Sequence, residues 1–109
     1  MKEFMLIFRN SDTASDNPSP ELMQEWMNWM AGIAAQNKLV SKGNRLSVSE
    51  AKTVKPDNII TDGPYTEIKE FLRGYVIVRA GDIEEAIEFA KSNPILRRDG
   101  TIEVRAILT

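Results

Sequence analysis

Four residues, Asp62-Gly63-Pro64-Tyr65, and three charges that follow them, Glu67, Lys69 and Glu70, form the stretch best equipped for chemistry. A carboxylate followed by Gly-Pro is aimed by the backbone. Gly63 can take angles closed to other residues, and Pro64 fixes its own φ and donates no N–H. Asp62 then has two roles open to it. It can accept backbone N–H bonds and hold a turn. Alternatively, it can face a partly dry pocket as an acid/base, the one candidate catalytic residue of the chain. Tyr65 offers an aromatic body with an O–H, suited to a small aromatic ligand or to anchoring the loop. Lys69 can hold Asp62 or Glu67 in place or meet an anionic substrate, and the three charges can equally be a solvated face. Arg9, at the end of an apolar strand, can reach the mouth of such a pocket, although a surface role is open to it too.

Absences narrow the chemistry. The chain has no Cys and no His, so thiolate catalysis, disulfides, imidazole acid/base work and the commonest zinc ligands are excluded. No metal or cofactor is expected. A formal net charge of −2 leaves no electrostatic footprint for nucleic acid. No basic run adjoins an apolar helix, and no signal or spanning segment is read, so neither a membrane nor secretion is expected and the cytoplasm is the expected location.

The elements that must position Asp62 follow from period and punctuation. At 109 residues the whole chain, 1–109, reads as one domain. Residues 3–9 are apolar on both faces, as are 75–79, which marks two central strands. Ser19, Pro20 and Glu21 open a helix expected over 20–37. Its stripe of Leu22, Trp26, Trp29 and Ile33, flanked by methionines, is wider than one sheet contact needs. It is either a core face with Met filling gaps or, in part, at Trp26, the wall of a ligand pocket or a subunit contact. Lys42-Gly43-Asn44 reads as a turn, 45–54 as a more exposed strand, Lys55-Pro56-Asp57-Asn58 as a turn and 58–61 as its hairpin partner. Asp82 caps a helix over 82–92, and 101–108 alternates as the last strand. This order predicts a split β-α-β, ferredoxin-like α+β fold with one antiparallel sheet and two helices on one face. The other face keeps apolar residues, so a homodimer through the helix-free face is expected.

The run from Thr61 to Glu70, the strand start Gly74-Tyr75, Asp82 with Glu85-Ala86-Ile87, and the closing Glu103-Val104-Arg105 resemble the signature of the YCII-related, or DGPF-domain, family. The resemblance covers nearly the whole chain. It implies a ferredoxin-like fold and sheet-to-sheet dimers of the dimeric α/β-barrel type. The elements themselves place a pocket between the helix-free face, the long 59–75 loop and the partner, near Asp62, where a small metabolite is expected to bind. Some relatives of this kind are enzymes with a His–Asp pair, one a dehydrochlorinase on a chlorinated hydroxyaromatic. Others occur with sigma-factor-like regulators. Here Tyr65 stands for the signature's phenylalanine, and the histidine is missing. Three roles therefore stand side by side: a dimeric binder of a small metabolite, with Arg9, Trp26, Tyr65, Glu67 and Lys69 as candidate contacts; a lyase-like enzyme using Asp62 on a small aromatic or anionic substrate; and a regulatory module.

Overall fold

A computed structural model of the chain describes residues 1–10, 18–63 and 71–108. Its elements run β1 (Lys2–Asn10), α1 (Pro20–Ala35), β2 (Leu39–Arg45), β3 (Lys52–Lys55), β4 (Ile59–Asp62), β5 (Phe71–Ala80), α2 (Ile83–Lys91) and β6 (Gly100–Ala106). Four strands form one antiparallel sheet in the order β2-β5-β1-β6. With its two helices this is an α+β domain compatible with the ferredoxin-like arrangement. The two strands that are apolar on both faces, β1 and β5, are the central pair.

Alternation builds the core. Phe4, Leu6 and Phe8 of β1 and Val76, Val78 and Ala80 of β5 are buried on one face, against Trp29 and Ile33 of α1 and Ala86 of α2. Both helices therefore cover the same side of the sheet. The Trp29 indole N–H donates to the Phe89 carbonyl at 2.8 Å and ties α1 to α2. Trp26, Trp29 and Phe8 meet edge to face, with centroids 4.7–5.8 Å apart, the geometry favoured by ring quadrupoles. The remaining residues of the central strands, Met5, Ile7, Tyr75 and Ile77, are half-buried on the helix-free face.

Local signals set the helix ends. The Ser19 hydroxyl accepts from the Leu22 amide at 3.1 Å, and the Asp82 carboxylate accepts from the Glu85 amide at 2.9 Å. These are N-caps of the expected kind. Helix α1 stops at Ala35, two residues before the expected end, because Asn37 turns left-handed at φ 59° and the Lys38 amide folds back to Ile33.

Two expectations about the strands are corrected. First, Lys42-Gly43-Asn44 lies inside β2 and is not a free turn. The register of β2 on β5 shifts twice, between Leu39 and Ser41 and between Ser41 and Asn44, and Gly43 sits at φ +63°. Burial still alternates along β2, with Leu39, Ser41 and Gly43 half-buried, but Ser41 and Gly43 are not apolar, so no apolar period marks the strand. Second, 45–54 is not one strand of the main sheet. Residues 46–51 form no strand, and β3 pairs with β4 in a separate two-stranded sheet. A 3-10 turn at Pro56–Asn58, with Asp57 and Asn58 at positive φ, joins the two. The two strands of this hairpin pack mainly against each other.

Candidate functional site

The hairpin puts Asp62 where its neighbours in sequence could not. Its register pairs Lys52 with Asp62, Thr53 with Thr61, Val54 with Ile60 and Lys55 with Ile59. Successive side chains of a strand point to opposite faces, so Lys52, Val54, Ile60 and Asp62 share one face. Lys52 Nζ lies 2.6 Å from Asp62 Oδ1, and the Asp62 side chain is 93% exposed. Among the described residues, the partner of its carboxylate is this ammonium and not a backbone amide. The turn is held by Gly63 instead. At φ +84°, its amide donates to the Ala51 carbonyl at 2.8 Å, and its own carbonyl accepts from the Thr53 hydroxyl at 3.0 Å.

These bonds draw the 47–51 loop alongside the hairpin. The Glu50 amide donates to the Ser47 hydroxyl at 2.9 Å, folding the loop back on itself. Between loop and hairpin lies an open cleft of about 330 Å³, lined by Ser49, Glu50, Ala51, Lys52, Asp62 and Gly63. Two carboxylates and one ammonium give its described lining a formal charge of −1. One Asp62 oxygen faces Lys52, which leaves the other available to a donor on a ligand. No three His, Cys, Asp or Glu side chains gather to hold a metal ion among the described residues.

A second groove, about 590 Å³, runs between α1 and α2, with Glu25, Trp29, Phe89 and Arg97 in its lining. Its charges are already matched. Arg97 Nη2 is 2.6 Å from Glu25 Oε2, and Lys91 is 2.9 Å from Glu88. The smaller cleft is therefore the better place to meet a polar ligand.

The other residues singled out in the sequence do not converge on Asp62. Arg9 lies on the helix-free face, with Nη1 2.6 Å from Glu103 Oε1. Trp26 lies on the opposite, helix-covered side against Phe8. Neither lines the Asp62 cleft. Tyr65, Glu67, Lys69 and Glu70 fall outside the described residues. Lys52, Ser49 and Glu50 were missed. A three-residue turn at 56–58 already implies that Lys55 faces Ile59, and counting back from there sets Lys52 opposite Asp62.

Residues 3–109 match the family model of the YCII-related domain. No curated protein matches the chain.

Proposed function

The chain belongs to the YCII-related family, and from that premise we propose that it binds a small polar metabolite at the Asp62 cleft without transforming it. The observation that carries this reading is the state of Asp62. A carboxylate 93% exposed, steadied by Lys52, and opening onto a cleft of about 330 Å³ is set up to accept hydrogen bonds from a ligand. The negative balance of the described lining favours a neutral or cationic ligand rich in donors. An acid/base role on an aromatic or anionic substrate asks for a carboxylate in a water-poor setting, and the described residues around Asp62 do not supply one.

The protein acts as a dimer of the α/β-barrel type in this reading, with two helix-free faces packed together. Supporting it, Met5, Ile7, Tyr75 and Ile77 present an apolar centre on the face that carries no helix. The cytoplasm is its proposed place. The absence of Cys suits a reducing compartment, and among the described residues no helix is long and apolar enough to cross a membrane.

A ligand-observed NMR screen of small amines, amides, carboxylates and aromatics tests the function. Asp62→Asn keeps the size of the side chain and removes its charge. A charge-assisted hydrogen bond is worth about 1.5–3 kcal/mol, so the variant should bind a hit about 10- to 100-fold more weakly. Equal binding by wild type and Asp62→Asn would reject Asp62 as the anchor.

A further inference from the structure

The Asp62 cleft already holds a cation, and it is the protein's own. Lys52 and Asp62 face each other across β3 and β4, so the backbone register sets the ammonium against the carboxylate, with Nζ 2.6 Å from Oδ1. Little else fixes it there. The Lys52 side chain is 66% exposed, and among the described residues its ammonium donates to Asp62 alone. A lysine ammonium is a compact charge on a flexible four-carbon stem. An exposed pair of this kind gains little, because water competes for both charges and two side chains must be held in one geometry. Lys52 can therefore leave Asp62 for solvent at small cost.

With Lys52 turned away, the described lining presents two carboxylates, Asp62 and Glu50. Glu50 is exposed, and among the described residues no cation pairs with it. Its backbone is nevertheless held. The Glu50 amide donates to the Ser47 hydroxyl, and the carbonyl of its neighbour Ala51 accepts from the Gly63 amide. The loop thus carries one carboxylate to the hairpin that carries the other. The sequence after Gly63 keeps the same balance, since residues 64–70 hold two glutamates and one lysine. An anion would have to pass these carboxylates to reach an ammonium that Asp62 already neutralises. A hard metal ion takes six or more oxygen ligands, and two carboxylates are too few to hold one. A primary ammonium is the group that Asp62 already accepts.

We propose that the cleft takes a small molecule bearing a primary ammonium, which replaces Lys52 at Asp62, and that Lys52 is an internal competitor setting how tightly such a ligand is held. This rests on the reading of the Asp62 cleft as a binding site. It goes beyond that reading in naming the ligand's charged group and in giving Lys52 a role against binding.

The probe is n-butylamine hydrochloride, the lysine side chain as a free molecule, with butan-1-ol and sodium butyrate as its neutral and anionic counterparts at matched ionic strength. Backbone amide shifts in two-dimensional NMR of the full chain give the dissociation constant at the cleft. In the wild type butylamine should shift Ser49, Glu50, Lys52, Asp62 and Gly63, and butyrate should not. Lys52→Met keeps an unbranched stem and removes the ammonium. It should bind butylamine about two- to fivefold more tightly, the range that an exposed ion pair is worth. Lys52→Arg sets a two-pronged donor on Asp62 and should bind butylamine more weakly than wild type. Damage to the fold would weaken both variants, whereas competition moves them in opposite directions. Lys52→Met binding butylamine no more tightly than wild type would overturn the competition. Butyrate shifting the cleft where butylamine does not would overturn the ammonium and leave the cleft standing as a binding site. A cleft that no compound of the wider metabolite screen shifts would remove both.

Discussion

Three glycines offer a graded test of how the edge of the sheet is built. Gly43 and Gly63 both sit at positive φ, +63° and +84°. An alanine in that region costs about 1–2 kcal/mol. At Gly63 a Cβ would meet nothing within 4 Å among the described residues, so Gly63→Ala should lose about that much. At Gly43 the same atom would lie 2.6 Å from the Tyr75 carbonyl carbon and closer still to its oxygen. Backbone cannot swing aside as a side-chain tip can, so β2 must lift off β5. Overpacking of this kind adds about 1–3 kcal/mol, which brings Gly43→Ala to about 2–5 kcal/mol. Gly32 is the control. It lies inside α1 with nothing within 4 Å of a Cβ, and Gly32→Ala should stabilise by about 0.5–1 kcal/mol. At about 4–8 °C per kcal/mol for a domain near this size, melting followed by circular dichroism at one fixed protein concentration separates the three. Gly32→Ala should melt above wild type, Gly63→Ala several degrees below it, and Gly43→Ala at least 8 °C below. A Gly43→Ala protein as stable as Gly63→Ala would refute the close approach of β2 to Tyr75.

Asp62→Ala should shift the melting temperature by no more than a few degrees, since its exposed pair with Lys52 is worth about 0–1 kcal/mol; a collapse of the fold would assign it a structural role instead. Trp29→Phe removes the indole N–H and leaves the Phe89 carbonyl to the Ser92 hydroxyl, which donates to it at 3.2 Å, and should cost about 0.5–1.5 kcal/mol in urea unfolding for the lost hydrogen bond. The Lys38 ammonium bonded to Glu85, helped by the Gly81 amide at 2.8 Å, holds the Glu85 carboxyl below the usual glutamate range. A depressed folded-state pKa contributes stability above the unfolded-state value and loses it as pH falls through the folded-state one. Glu85→Gln should therefore be less stable than wild type at pH 7, and the gap between their urea midpoints should close as the pH is lowered to 3.

The central strands and both helices were legible because each had two agreeing signals. In β1 and β5 alternation filled both faces, and in α1 and α2 a stripe began behind a capping Ser19 or Asp82. Strand β2 had conflicting signals. Its half-buried positions after Leu39 are Ser41 and Gly43, which give no apolar period, and Lys42-Gly43-Asn44 has the composition of a turn although it serves as a bulge. The hairpin was legible as a hairpin but not as a separate sheet, since nothing in residues 46–51 announces that the chain has left the main one. Asp62 stood out through Gly63-Pro64. Its contact with Lys52 depended on register, which composition does not carry. Arg9 and Trp26 were chosen by residue type. The same alternation that found β1 sets Arg9 with Met5 and Ile7, on the side of the sheet away from Trp26.

The location of a bound ligand tests the account most directly. Backbone amide shifts, recorded by two-dimensional NMR while a hit from the metabolite screen is titrated in, report which surface it touches. The account predicts that the largest shifts fall on Ser49, Glu50, Lys52, Asp62 and Gly63 and disappear in Asp62→Asn at the same ligand concentration. Shifts gathered instead on Trp29, Gly32, Phe89 and Ser92, in the groove between the helices, and unchanged by Asp62→Asn would contradict it.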